Sequence, residues 1–143
     1  MSQSRPYSAH IDRLKAAGLR PTKQRLALAK LLFGGGDRHT TAEQLHMEAM
    51  GNQVGVSLAT VYNTLHQFTE AGLLREVVVE PGRSYFDTNV EDHHHFFVEG
   101  KGELMDIPGN AVKIAALPDA PDGTSVRQVD IIIRVSEDKS SQA

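Results

Sequence analysis

The chain contains no cysteine. That excludes disulfides, thiolate zinc sites and cysteine nucleophiles. It holds no apolar run long enough to span a bilayer. Its opening residues, Met-Ser-Gln-Ser-Arg-Pro, lack the apolar core of a signal peptide. A cytoplasmic protein is therefore expected. Aromatic residues are scarce, at five Phe and three Tyr, and half of these eight are Tyr85, Phe86, Phe96 and Phe97, close together in the chain.

Enough is present to build a packed protein. Hydrophobic residues make up 40% of 143, which suits one ordinary domain or two small ones and excludes wholesale disorder. The net charge of −3 hides an asymmetry: residues 1–75 hold nine Lys/Arg against five Asp/Glu, and residues 76–143 hold six against thirteen. A basic first half suits phosphates and an acidic second half suits another partner, so two domains are expected.

The most informative stretch runs from Gly55 to Gly72. Ser57 is a natural N-cap, because its hydroxyl accepts from free backbone N–H groups of the first turn. Leu58, Val61, Leu65 and Phe68 follow at helical spacing and form one apolar stripe. Gly72 is placed to stop the helix in a left-handed conformation. The other face carries Ala59, Thr60, Asn63, Thr64 and Gln67, with Tyr62 at its edge. These short or flat side chains, with hydroxyls, amides and methyls, can meet base edges in a major groove. The expected recognition residues are Ser57, Ala59, Thr60, Tyr62, Asn63 and Thr64. Lys15 and Arg20 stand ready for phosphates or a minor groove.

The surrounding segments supply the frame. Helices are expected over Ser8–Ala17, over Thr22–Phe33 before a Gly34-Gly35-Gly36 break, and over Thr41–Met50 behind the capping-box spacing Thr40 to Glu43. Two β runs, Leu74–Glu80 and Arg83–Thr88, joined by Pro81-Gly82, make a hairpin where the wing of a winged helix belongs. After this winged-helix DNA-binding domain, expected over residues 1–88, comes an acidic hinge at 89–92. A small α/β dimerisation and ligand-sensing domain is expected over 93–136, with strands at His94–Glu99, Glu103–Ile107 and Ser125–Val135 and a helix at Asn110–Leu117. A sheet that short leaves edges and an apolar face open, so a homodimer is expected. Residues 137–143 read as a flexible tail. The fold class is α+β.

His93-His94-His95 is the most unusual chemistry in the chain. On a strand, His93 and His95 share one face and His94 takes the other. Such a pair offers two nitrogens to a transition metal or a haem iron. The four clustered aromatics could supply an apolar slot for a porphyrin, and Asp87 could complete a hard-metal site. A weaker second haem site is conceivable at His46 and His66. A metalloenzyme reading also exists, because His93-x-His95-x-x-x-Glu99 mimics the first ligand motif of cupin oxygenases. The acidic half is too short for their jelly roll, so an enzyme is not expected.

Leu19-Arg-Pro-Thr-Lys-Gln-Arg25, His39-Thr-Thr-Ala-Glu-Gln-Leu45 and Val56-Ser-Leu-Ala-Thr-Val-Tyr-Asn-Thr-Leu65 resemble, in order and spacing, the winged-helix motifs of the ferric uptake regulator superfamily. The resemblance implies a dimeric bacterial transcription regulator, bound to promoter DNA, with a regulatory metal set on His39, Asp87, His93 and His95 that takes Fe²⁺ or Mn²⁺ as co-repressor. The family's cysteine-held structural zinc has no counterpart in Phe97-Val-Glu-Gly-Lys-Gly102. The three-histidine run, the missing cysteines and Asn63 in place of the family's usual Arg are similar to the haem-responsive iron response regulators of α-proteobacteria. That likeness implies release from the promoter when haem binds at His93, His94 and His95.

Overall fold

The computed structural model describes residues 7–138. They divide into two compact units on either side of the Val90–Glu91 bond. Among the described residues no helix is long and apolar enough to cross a membrane.

The first unit carries four helices and a small sheet. Helices α1 (Ser8–Ala16), α2 (Lys23–Phe33), α3 (Ala42–Gly51) and α4 (Leu58–Glu70) are each set by local chemistry. The hydroxyl of Thr22 caps α2 by accepting from the Arg25 N–H, and Ser57 caps α4 by accepting from Thr60. The capping box of α3 lies one residue later than the sequence spacing implied, with Thr41 and Gln44 in place of Thr40 and Glu43. Thr40 is instead buried in a two-residue strand, β1 (His39–Thr40), which keeps its backbone extended. Replacing Ser57 by Ala should destabilise this unit by about 1 kcal/mol, the usual worth of a hydroxyl N-cap. A chemical denaturation curve followed by circular dichroism checks it.

The helices close over one core. Leu14, Leu28, Leu32, Leu45, Val61, Leu65 and Phe68 are fully buried, and Leu74 and Phe86 join them from the sheet side. The sheet has the order β1-β3-β2, all antiparallel, with β2 at Arg75–Glu80 and β3 at Arg83–Asp87. Gly82, at φ 76°, makes the β2–β3 turn possible, because that backbone region is strained for a side chain with a Cβ. Val77 and Val79 are buried while Val78 is 56% exposed, the alternation of a strand with one covered face. Arg38 ties this end together. Its guanidinium donates to both oxygens of Glu48 and to the Leu31 carbonyl, and its backbone N–H donates to the Thr88 hydroxyl. Those bonds hold the Glu48 carboxyl below the usual carboxylate range.

The second unit is a three-stranded sheet of order β5-β4-β6, with β4 at His94–Val98, β5 at Glu103–Ile107 and β6 at Ile132–Val135. β5 runs antiparallel to β4 and β6 runs parallel to it. Gly100 and Gly102, at φ 89° and 62°, close the β4–β5 hairpin. Two expected elements are corrected here. The helix expected over Asn110–Leu117 is a single 3₁₀ turn at Gly109–Ala111. Eight residues are too few to nucleate a helix without packing, and Ile114 and Leu117 remain 42% and 53% exposed. The strand expected over Ser125–Val135 shrinks to Ile132–Val135, because its pairing partner β4 offers only His95 to Val98 on that edge. Of the tail expected at 137–143, residues 139–143 lie outside those described.

Candidate metal centre and nucleic-acid face

The metal-binding chemistry gathers at the start of β4. His93, His94 and His95 are all buried. As strand geometry requires, they divide between two faces. His93 and His95 turn toward β5, with ring centroids 4.6 Å apart. Their Nε2 atoms lie 3.7 and 3.3 Å from Oδ1 of Asp106. One ligand atom from each of these three residues lies within 4.8 Å of the others. An ion bound at about 2.0–2.2 Å holds neighbouring ligand atoms about 3 Å apart, so small side-chain shifts would close the three around one cation. His93 is already oriented for this. Its Nδ1 stands 2.6 Å from the Glu91 carbonyl, which can only accept, so Nδ1 carries the proton. In the neutral ring that leaves the Nε2 lone pair facing Asp106, the tautomer that a metal requires. His94 takes the opposite role, its Nδ1 accepting from the Ile131 N–H at 3.2 Å.

Asp106 is the residue that motif reading missed. It lies directly opposite His95 in the β4–β5 register. A hairpin folded about Gly100-Lys101 pairs residue 95 with 106, so the turn glycines were the available signal. Glu99, the acid of the cupin-like motif, is not in this group, and its backbone N–H pairs with Val135 instead.

The remaining ligand candidates stand in the first unit. His39 and Asp87 are register partners across β1 and β3, and Arg75 of β2 faces Asp87 from the other side. Asp87 is buried and its Oδ1 accepts from the Asn89 N–H. The His39 ring meets Tyr85 edge-on at 6.0 Å. The expected aromatic slot is corrected in part: Phe86 belongs to the helical core, and Phe97 is buried with the Arg134 guanidinium 5.6 Å from its ring centroid. His46 and His66 have different neighbours. The Nε2 of His46 lies 3.1 Å from the Val56 carbonyl, whereas the His66 ring stacks on Tyr62 and meets Phe86 edge-on.

On α4, Ser57, Ala59, Asn63 and Gln67 are exposed, with Thr60 and Tyr62 half-buried. Thr64 is a correction. It is buried with Val61, Leu65 and Phe68, because the spacing of three from Val61 and four to Phe68 puts it on the inner stripe. Lys15 and Arg20 are exposed. Two further residues reach this face from neighbouring helices. Arg25 of α2 donates to Gln67 Oε1 at 2.9 Å and to the Arg20 carbonyl. Glu43 of α3 accepts from the Tyr62 hydroxyl at 2.5 Å. That bond chiefly holds the Glu43 carboxyl below its usual range and raises the Tyr62 phenol above its own.

Comparison with known proteins sets these features in context. Residues 16–131 match the ferric uptake regulator family model. The chain is 35% identical over 96 residues to the peroxide operon regulator of Bacillus subtilis, spanning 67% of this chain and 66% of that one. It is 32% identical over the same length to the peroxide-responsive repressor PerR of Staphylococcus aureus, spanning 64% of that protein. The chain thus spans just under two thirds of the length of these relatives. Its fold is shared with the ferric uptake regulator of Pseudomonas aeruginosa solved with manganese, at TM-score 0.67 and 24% identity over 90% of this chain and 97% of that one. The Vibrio cholerae ferric uptake regulator superposes at TM-score 0.69 with 23% identity, over 89% and 98%.

Proposed function

Because the chain belongs to the ferric uptake regulator family, we propose that it is a DNA-binding transcription regulator of iron homeostasis whose signal is iron bound at His93–His95. The observation that carries this reading is the buried pair of imidazoles, His93 and His95, converging with Asp106 on one point. Nitrogen and carboxylate donors in that combination suit divalent first-row metals such as Fe²⁺ or Mn²⁺. α4 would enter the major groove with Ser57, Ala59, Thr60, Tyr62 and Asn63 toward the bases, and Lys15 and Arg20 would neutralise phosphates. His39 and Asp87, neighbours on their own sheet, are the further ligands that the family likeness suggests. Repression, the activity named for the Staphylococcus relative, is the expected effect on transcription.

The protein would act as a homodimer. Met105, Phe96 and Ile133 form one row across the second sheet, and Met105 and Ile133 are 49% and 38% exposed. A second copy would cover that row. Two reading helices in a dimer must sit about 34–36 Å apart to meet successive turns of one duplex, so a small ligand-driven change in that spacing switches binding.

Haem is the second form that the iron could take, favoured by three consecutive histidines in a chain without cysteine. His93 and His95 lie on one side of β4 and His94 on the other. The pair together would suit a bare ion, and an imidazole of the cluster would hold a haem, which would supply an iron centre there.

The two forms differ in sign. A repressor with a divalent ion as co-repressor would bind DNA more tightly with Mn²⁺, whereas a haem-released regulator would bind best without ligand. Operator affinity is measured with chelator, with Mn²⁺ and with haem, using a duplex selected by the protein from a random-sequence pool. Tightening by Mn²⁺ supports the ion, and loss of binding in haem supports the porphyrin. Indifference to both would falsify the iron reading.

A further inference from the structure

We propose that Glu43 is a positioning residue for the DNA-reading face: its carboxylate holds the Tyr62 ring in place on α4 and so sets how sharply that helix tells one sequence from another. The inference rests on the proposed DNA binding and adds to it a residue outside the reading helix.

The Tyr62 ring is held at two points. Its hydroxyl donates to Glu43 Oε1 at 2.5 Å. Its face lies against the His66 ring, with centroids 6.4 Å apart and planes 19° from parallel. The Glu43 side chain is exposed, and its backbone is anchored. It sits in the first turn of α3, where Thr41 and Gln44 lock the helix start with reciprocal bonds of 3.1 Å each. A carboxylate is favoured there by the helix dipole. The charge of Arg83, on wing strand β3, also acts on Glu43. Thr41, Tyr62, Gly82 and Arg83 line one groove of ≈ 360 Å³ between the reading helix and the wing turn.

A carboxylate at the edge of a DNA-reading face is unfavourable for affinity, because it repels phosphates of every sequence alike. What it can add is order. An aromatic side chain that is already immobilised loses little freedom on binding. A ring that cannot swing aside also cannot adapt to the wrong base, and that widens the gap between right and wrong sequences. The amide of glutamine can accept the same phenolic hydrogen bond without the charge, which separates holding from electrostatics.

The test compares wild type, Glu43→Gln, Glu43→Ala, Tyr62→Phe and the Glu43→Ala/Tyr62→Phe double variant at fixed salt. The probes are a duplex of about 30 base pairs, enough for two half-sites, enriched by wild type from a random pool, and the unselected pool itself. Glu43→Ala and Tyr62→Phe should each cut the preference for the selected duplex by about tenfold, the size of one good base contact. The double variant should fall no further. Glu43→Gln should keep the preference within about twofold while tightening both duplexes equally, through the lost repulsion. Ultraviolet titration of Tyr62, taken as the difference from the matching Tyr62→Phe protein, should show the phenol ionising above the ordinary tyrosine range in wild type and returning to it in Glu43→Ala. An unchanged preference in Glu43→Ala overturns the inference, as does equal loss in Gln and Ala. If wild type enriches no duplex at all, the DNA-binding reading fails and takes this inference with it, a result distinct from binding with an unchanged ratio.

Discussion

Alanine at both His93 and His95 lowers affinity for Fe²⁺ or Mn²⁺ by more than about a hundredfold and leaves DNA binding indifferent to iron. The size follows from what is lost. Changes to groups that merely orient metal ligands weaken sites by about 10–100-fold, and this change deletes the two nitrogens that face Asp106 and would hold the proposed ion. Asp106→Asn is the milder companion. It keeps the shape and one weak oxygen donor but removes the negative charge, so a loss of about tenfold is expected, at the low end of that same range. Calorimetric titration with Mn²⁺ gives the affinities, and duplex binding with and without Mn²⁺ gives the coupling. Retained metal affinity in the double variant would place the ion elsewhere in the chain. Adding His94→Ala addresses the porphyrin form, since His94 stands on the other face of β4. A triple variant that stays on DNA in haem, where wild type is released, identifies the cluster as the haem site.

Phe68→Ala should destabilise the first unit by about 3–5 kcal/mol, the usual range for deleting a fully buried aromatic ring. Phe68 is 0% exposed and packs on Phe33 with ring centroids 6.3 Å apart. It ends the inner stripe of α4, so the void opens against Phe33 at the end of α2. Urea unfolding followed at a helical circular-dichroism signal measures the change, with a lowered midpoint and an unaltered slope expected. A fall of under 1 kcal/mol would mean that α4 is not held by this stripe. The chosen sites lie in different units, so the histidine variants should leave this transition in place.

Much of the first unit was legible because its signals are local. Ser57, Thr22 and the periodic leucines specify helices through bonds and contacts that reach only three or four residues along the chain. The β2–β3 hairpin was legible for the same reason, through Pro81-Gly82 and the alternation around it. The misreadings mark where local signals compete or vanish. Thr64 looked polar and therefore outward, but its place on the 3.6-residue period put it inside. The capping-box spacing pointed to Thr40, but the pairing of Thr40 with Phe86 holds it in β1, and the cap falls to Thr41. Residues 110–117 read as helix and 125–131 as strand, yet found too little beside them to pack or pair with.

The candidate site divides in the same way. The sequence alone determined that His93 and His95 share a face, since alternation is a property of any strand. It also determined the four helices, the hairpin and the family, since caps, turns and apolar periods act within a few residues of themselves. Only the tertiary structure decided that Asp106 completes the pair, because strand register is fixed by the whole β4–β5 ladder. Only it brought Glu43 to Tyr62 and Arg25 to Gln67, since those contacts join residues 19 and 42 positions apart in the chain. Separations of that size carry no periodic trace, and packing between helices is what closes them.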